Sequence, residues 1–171
     1  MNSLTSYLQQ AMTHDLSVVQ HLITKLPESA WDYRPRENMR STTELLRYLS
    51  FIGAATVKIH RDGGWLEHNL PGLREARERT VNLQPKDFHD AIESQKHAIK
   101  ELFTTISDED LYQKTTLEPW GTSVPLLQAY LNGTLKYLAS YKMQLFIYAK
   151  SCGAEIATPN NWRGVDPTPK A

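Results

Sequence analysis

Tyr48, Tyr137 and Tyr141 each fall on the apolar, inward-facing stripe of a predicted helix. Tyr137 and Tyr141 are four residues apart, so on a helix their rings project from the same face. A phenol hydroxyl can orient a carbonyl or an anionic ligand by hydrogen bonding. Because its pKa is about 10, it stays protonated at neutral pH and is a poor metal ligand. Asp15 and Gln95 fall within otherwise apolar helical stripes and could join a pocket that the tyrosines line.

The remaining metal-binding and nucleophilic side chains do not form a recognisable motif. No two histidines are three or four residues apart, the spacing that places two imidazoles on one helix face. The histidines are His14, His21, His60, His68, His89 and His97. We expect them to face solvent, with His60 and His68 flanking the loop at a cavity mouth. Cys152 is the only cysteine, which excludes an internal disulfide and a cysteine-built zinc site and fits a passive thiol at a helix end.

Charge and hydropathy exclude several classes of partner. Lys and Arg together number 19, as do Asp and Glu, and no run of like charge stands out, so a nucleic-acid or anionic-membrane partner is not expected. No apolar run approaches the ~18 residues that a membrane span needs. Residues 1–10 do not read as a signal peptide. We therefore expect a soluble cytoplasmic protein, and its 171 residues are enough for one domain with a core of its own.

The first two helices are predicted from apolar periodicity and from their caps. Ser3 caps a helix over residues 3–25 in which Asp15 is in phase with the apolar stripe. A buried carboxylate there must be paired, hydrogen-bonded or open to a wet cavity; we expect a carboxylate at the rim of the bundle, facing water. Residues 41–44 (STTE) form a capping box that opens a second helix, whose inward face includes Tyr48 and which ends at Gly63 and Gly64.

The second half of the chain reads as two more long helices. Residues 60–84 form a polar linker with a short helix over residues 73–80, and Pro85 begins a third helix that carries Gln95. After a tight turn at residues 120–121, Ser123 should cap a fourth helix over residues 124–153, with Pro125 in its first turn. Its buried stripe is predicted to contain Leu127, Tyr130, Leu131, Leu138, Leu145 and Tyr148.

These elements predict an all-α four-helix bundle with a long crossover between helices 2 and 3. No strand pattern of useful length is present. The bundle domain is expected to span residues 1–154. Residues 155–171 should form an irregular tail, with Trp162 packed against the bundle and the last few residues mobile.

The chain resembles the DinB/YfiT-like superfamily of four-helix bundles over nearly its whole length. The resemblance rests on the order and spacing of four segments: YRP at residues 33–35, STTELLRYL at 41–49, WG at 120–121 and YLASYKMQL at 137–145. Members of that family usually carry one His in the second helix and two in the last. Together these three imidazoles bind a divalent metal such as zinc or nickel.

The resemblance places the three expected ligand positions on Tyr48, Tyr137 and Tyr141. Metal-containing members of the family are associated with thiol-dependent transferase, isomerase or hydrolase-like chemistry. Three phenols would each have to lose a proton to replace the imidazoles, and their longer side chains can fill the cavity that a metal and its waters need. We therefore expect no metal and no other cofactor.

Three hypotheses remain open for the tyrosine positions. The rings could pack in the core as structural residues, each hydroxyl bonded to Asp15, Gln95, a backbone carbonyl or water. They could instead line a metal-free pocket that binds or transforms a small molecule, with Asp15 as a base. A metal held by substitute ligands would restore the family's chemistry. A homodimer through exposed faces of the first and fourth helices is also compatible with the sequence.

Overall fold

The computed structural model describes residues 3–168, which form an all-α bundle with one small β-hairpin. In chain order the helices are α1 (Leu4–Ile23), α2 (Thr42–Leu49), α3 (Ile52–Arg61), α4 (Leu70–Thr80), α5 (Phe88–Phe103), α6 (Asp108–Gln113), α7 (Leu126–Ala129), α8 (Lys136–Ser151) and α9 (Thr158–Arg163). The strands β1 (Thr115–Leu117) and β2 (Ser123–Pro125) are antiparallel and lie between α6 and α7. None of the described helices is long and apolar enough to cross a membrane.

Four helical segments form the bundle, as the sequence predicts. They are α1, then α2 with α3, then α5, and finally α7 with α8; α4 lies in the long crossover between the second and third segments. Helix α1 packs against α5 and α8, while α3 packs against α5. Leucines and isoleucines from all four segments are fully buried where these faces meet, among them Leu16, Leu22, Leu45, Leu49, Ile92, Ile99 and Leu145.

The second bundle segment is broken in the middle, where we expected one continuous helix. The capping box at Ser41 and Glu44 begins α2, but α2 ends at Leu49 and α3 starts at Ile52. The Gln95 side chain of α5 bridges the break with hydrogen bonds to both helices. Its Oε1 accepts hydrogen bonds from the Gly53 amide at 2.7 Å and the Ala54 amide, and its Nε2 donates to the Leu49 carbonyl. The Gln95 amide thus supplies the partners that helix ends lack.

The fourth bundle segment also departs from the predicted helix over residues 124–153. Ser123 and Pro125 belong to β2, so Ser123 does not cap the helix, and a π-helical turn over Tyr130–Leu135 separates α7 from α8. The extra residue of a π turn shifts the helical phase. Leu131, predicted to be buried, is therefore 43% exposed.

A close backbone contact joins α3 to the hairpin and fixes the position of Trp65. Gly64 has a φ of +103°, and a Cβ atom there would lie 2.2 Å from the backbone N and O of Leu117, so only glycine fits. The Trp65 amide donates to the Leu117 carbonyl at 2.9 Å. This contact ends the second bundle segment and directs the chain into the crossover.

The expected irregular tail contains a helix. Helix α9 packs against α1 and α8, and its Asn160 and Asn161 side chains are buried. Trp162, which we expected to pack on the bundle, is 63% exposed. Asn160 ties α9 to α1 because its Nδ2 lies 2.9 Å from His21 Nε2. The expected mobility of the last residues concerns residues 169–171, which lie outside the described part.

Asp15 is buried in the bundle rather than facing water at its rim. Lys142 Nζ on α8 donates to Asp15 Oδ1 on α1 at 2.6 Å, and the two side chains are 7% and 12% exposed, respectively. The ring of Trp162 lies 5.6 Å from the same Nζ. The ion pair therefore joins the first and fourth bundle segments at a site with little water.

His60 is also buried, contrary to the expected solvent-facing position. Its ring is 3% exposed, packs edge-on against Tyr130, and has Nδ1 3.2 Å from Thr116 Oγ1. Burial lowers its pKa to about 4, because a charged imidazole would lose its hydration there. His60 is therefore a neutral part of the core at physiological pH.

The buried ion pair can be tested by a double-mutant cycle. Lys142→Met leaves the Asp15 carboxylate without its partner and should lower the free energy of unfolding by about 3 kcal/mol or more. Adding Asp15→Leu removes both charges and should recover much of that loss. Urea denaturation measures both effects, and Lys136→Met at an exposed position of α8 is the matched control. A loss in the double variant equal to the sum of the losses in Lys142→Met alone and Asp15→Leu alone would show that the pair is not coupled.

The burial of His60 predicts a particular pH dependence of stability. In the unfolded chain this imidazole gains a proton below pH ~6.5, whereas in the folded chain it does so only near pH 4. Acidification from 6.5 towards 4 should therefore reduce the free energy of unfolding, by up to ~3 kcal/mol from this group. Denaturation at pH 7 and pH 5 should show a smaller decrease for His60→Gln than for the wild type or for exposed His97→Gln. An unchanged decrease in His60→Gln would contradict the assignment.

Candidate functional site

Two of the three tyrosines are in direct contact. Tyr48 on α2 and Tyr141 on α8 have ring centroids 4.9 Å apart and planes inclined by 70°, an edge-to-face arrangement. Phe51 extends this aromatic cluster from the other side of Tyr48, at 5.4 Å. Tyr137, one helical turn before Tyr141, is half-buried like the other two. The rings thus pack the junction between the second and fourth bundle segments, and edge-to-face geometry is the favoured one for such pairs.

Arg40 covers the contacting tyrosine rings. The central carbon of its guanidinium lies 4.2 Å from the Tyr48 ring centroid and 5.5 Å from that of Tyr141. A guanidinium over a phenol ring is attracted by the negative face of the ring. The aromatic cluster therefore holds a permanent positive charge at its surface.

The backbone of Arg40 is anchored to the fourth bundle segment. Gln144 Nε2 donates to the Tyr148 hydroxyl at 2.5 Å, and that hydroxyl donates to the Arg40 carbonyl at 3.1 Å. On its other side, Arg40 directly precedes the capping residue Ser41. The backbone at Arg40 is therefore held close to the tyrosine rings by the fourth bundle segment and by the start of α2.

The phenols of Tyr48 and Tyr137 remain protonated at neutral pH. Burial raises the pKa of Tyr48, the Tyr141 phenol adds to this effect, and Arg40 opposes it. Burial likewise raises the pKa of Tyr137. Deprotonating these groups to bind a metal would therefore cost more than for a free phenol.

Asp15 and Gln95 do not join the tyrosines. Among residues 3–168, no hydroxyl of Tyr48, Tyr137 or Tyr141 donates to either of them or to a backbone carbonyl. Asp15 is instead paired with Lys142 and Gln95 with the α2–α3 junction. The structure therefore gives each of them a structural contact in place of the predicted hydrogen bond to a tyrosine.

A cleft of about 640 Å³ opens beside Tyr48, between α2, α3 and the crossover helix α4. Its walls combine apolar and cationic side chains. They are formed by Arg40, Glu44, Arg47, Tyr48, Phe51, Ile52, Trp65, Leu73, Arg77, Thr80 and Val81. Tyr48 and Arg40 belong both to the cleft and to the aromatic cluster, whereas Tyr137 and Tyr141 do not line the cleft. Of the three tyrosines, only Tyr48 can therefore touch a molecule bound there.

The cleft was not predicted from the sequence. Arg47 and Tyr48 are adjacent on α2, but Arg77 and Leu73 belong to a polar helix whose path could not be placed. The Arg47 Nε group donates to the Leu83 carbonyl at 3.1 Å and so ties the end of the α4 segment to α2. The only sequence signal was the helical spacing of Leu73, Arg77 and Thr80, which puts these residues on one face of α4.

The three tyrosines and Arg40 do not fit a divalent ion. Three protonated phenols and a guanidinium offer no negative charge to a dication. Within residues 3–168, no group of three or more His, Cys, Asp or Glu side chains is placed to hold a metal ion. Substitute ligands of these types are therefore absent around the cluster in the described part.

Comparison with known proteins identifies the fold. No protein-family model and no curated protein matches the sequence. The structure is similar to that of a protein from Exiguobacterium sibiricum assigned to the DinB family, with a TM-score of 0.68, 20% identity, and coverage of 94% of this chain and 99% of that one. It is also similar to a DinB-like protein from Bacillus subtilis, with a TM-score of 0.66, 15% identity, and coverage of 92% and 97%. The chain thus has the fold of the DinB-like superfamily of four-helix bundles.

Proposed function

We propose that this protein binds a small molecule in the cleft beside Tyr48 and does so without a metal. The observation that carries the proposal is the position of Arg40, whose guanidinium lies 4.2 Å from the centroid of Tyr48 and also borders the cleft. A fixed cation there repels a divalent ion and at the same time offers hydrogen-bond donors to a ligand. In this proposal the phenols and the guanidinium form a binding surface rather than a set of metal ligands.

The size and lining of the cleft suit a small ligand. Its volume of about 640 Å³ lies within the usual range for small-molecule sites, which are mainly apolar with a few placed polar groups. Phe51, Ile52, Trp65 and Leu73 supply the apolar part, and arginines supply the polar part.

A binding role is favoured over catalysis by the state of the acidic groups. Asp15, the base that the sequence suggested, is buried against Lys142 and is not part of the cleft wall. Glu44 lines the cleft, but its carboxylate is 2.8 Å from the Arg34 guanidinium, and this hydrogen bond lowers its pKa. A carboxylate so stabilised in its charged form is a weak proton acceptor.

The absence of metal binding is a direct test. Protein purified without an affinity tag, incubated with zinc or nickel and then desalted should retain well below one metal ion per chain by elemental analysis, because metal binding requires ligands that can deprotonate at the working pH. The triple variant Tyr48→Phe, Tyr137→Phe, Tyr141→Phe is the control and should retain the same trace. One metal ion per wild-type chain that is lost in this variant would overturn the metal-free proposal.

Binding in the cleft can be tested with the neutral aromatic probe N-phenyl-1-naphthylamine. We expect one molecule per chain to bind with an increase in fluorescence. Leu73→Trp adds ring atoms inside the cleft and should weaken binding about tenfold or more, equivalent to ~1.4 kcal/mol. Ile147→Trp introduces the same ring at an exposed position of α8 outside the cleft and should leave binding unchanged. Equal binding by both variants would show that the probe binds elsewhere.

A further inference from the structure

We infer that the ligand of the cleft is an organic anion with a flat, apolar body, such as an aryl carboxylate. This inference rests on the proposed function and adds to it the chemical class of the ligand. Two features of the cleft carry it: a set of arginines without carboxylate partners, and an aromatic wall next to them.

The charge of the cleft is positive. Arg40, Arg47 and Arg77 line it, and none of them forms a salt bridge with a carboxylate among the described residues. The one acidic residue of the wall, Glu44, is already paired with Arg34, which lies outside the cleft. Arginines gathered without counter-charges repel each other, and a bound anion relieves this repulsion.

Each arginine enters from a different part of the fold. Arg40 precedes α2 and is held over the Tyr48 ring, Arg47 lies on α2 and uses its Nε for the Leu83 carbonyl, and Arg77 is exposed on α4. Stacking on a ring leaves the N–H groups at the edge of a guanidinium free. These edges suit the two oxygens of a carboxylate or similar group, which arginine binds in a bidentate manner.

The cleft also has an aromatic wall, to which Trp65 belongs. Trp65 lines the cleft, and its Nε1 is one of the buried side-chain polar atoms of the described residues that have no hydrogen-bond partner. A buried donor without a partner is unfavourable, so such atoms are uncommon. Because this nitrogen is buried, the cleft offers a ligand the ring of Trp65 rather than this N–H group.

We infer a flat body for the ligand from the aromatic rings of Phe51 and Trp65 in the cleft wall. Together with Ile52 and Leu73 they give the cleft an apolar side on which a ring can stack. An inorganic anion would contact only the arginines and would leave the apolar side of the cleft exposed to water. A ligand that has both an anionic group and a ring uses the entire wall.

Two probes with the same ring system separate charge from shape. The fluorescence titration compares 1-anilinonaphthalene-8-sulfonate with N-phenyl-1-naphthylamine, which lacks the sulfonate. The sulfonate probe should bind about tenfold more tightly, since a hydrogen bond to a charged group contributes ~1.5–3 kcal/mol. Arg77→Gln and Arg40→Gln should each remove most of this advantage, measured as the ratio of the affinities of the two probes for the same variant.

Arg79→Gln is the matched control, because it removes the same charge from α4 at a position that does not line the cleft. It should preserve the preference for the sulfonate probe. A wild type that binds both probes equally well would overturn the anion inference and leave the proposed function intact. A wild type that binds neither would overturn the proposed function itself. Equal weakening by Arg77→Gln and Arg79→Gln would assign the preference to general surface charge and would also overturn the inference.

Discussion

The amide of Gln95 holds the point at which the second bundle segment divides into α2 and α3. One side chain from α5 bonds the free amides at the start of α3 and the last carbonyl of α2. Gly53 makes this approach possible, because a Cβ atom there would lie 2.9 Å from Gln95 Oε1. As a result α2 packs on α8 while α3 packs on α5. The contact of Tyr48 with Tyr141 and the burial of His60 both depend on this division.

The site combines the fold of DinB-like proteins with a cluster of tyrosines beneath Arg40. The bundle is that of DinB-like proteins, with TM-scores of 0.68 and 0.66 to two solved structures. The positions that the resemblance assigns to metal-binding histidines carry tyrosines, and the rings at two of these positions pack against each other beneath Arg40. Arg40 thus places a fixed positive charge over these rings.

Sequence reasoning succeeded where the signal was local. The cap at Ser41, the crossover before Pro85 and the bundle class all follow from residues close together in the chain. The break after Leu49 could not be predicted, because the residue that stabilises it is Gln95, more than forty positions away. Helix α9 did have a local signal: Pro159 in its first turn and the Asn160 side chain accepting from the Ala157 amide. The cleft depended on the path of α4, and a polar helix carries little information about which surface it covers.

We propose that a guanidinium, rather than a metal ion, lies over the tyrosine cluster and presents donors to an anion. The most direct measurement is a crystal structure of the protein grown with both zinc and 1-anilinonaphthalene-8-sulfonate, with anomalous data collected at the zinc edge. We expect Arg40 to lie over Tyr48 and no anomalous peak to appear at the phenol oxygens. We also expect the sulfonate to accept hydrogen bonds from the arginines of the cleft. Zinc bonded to the oxygens of Tyr48 and Tyr141, with Arg40 displaced, would contradict the proposal.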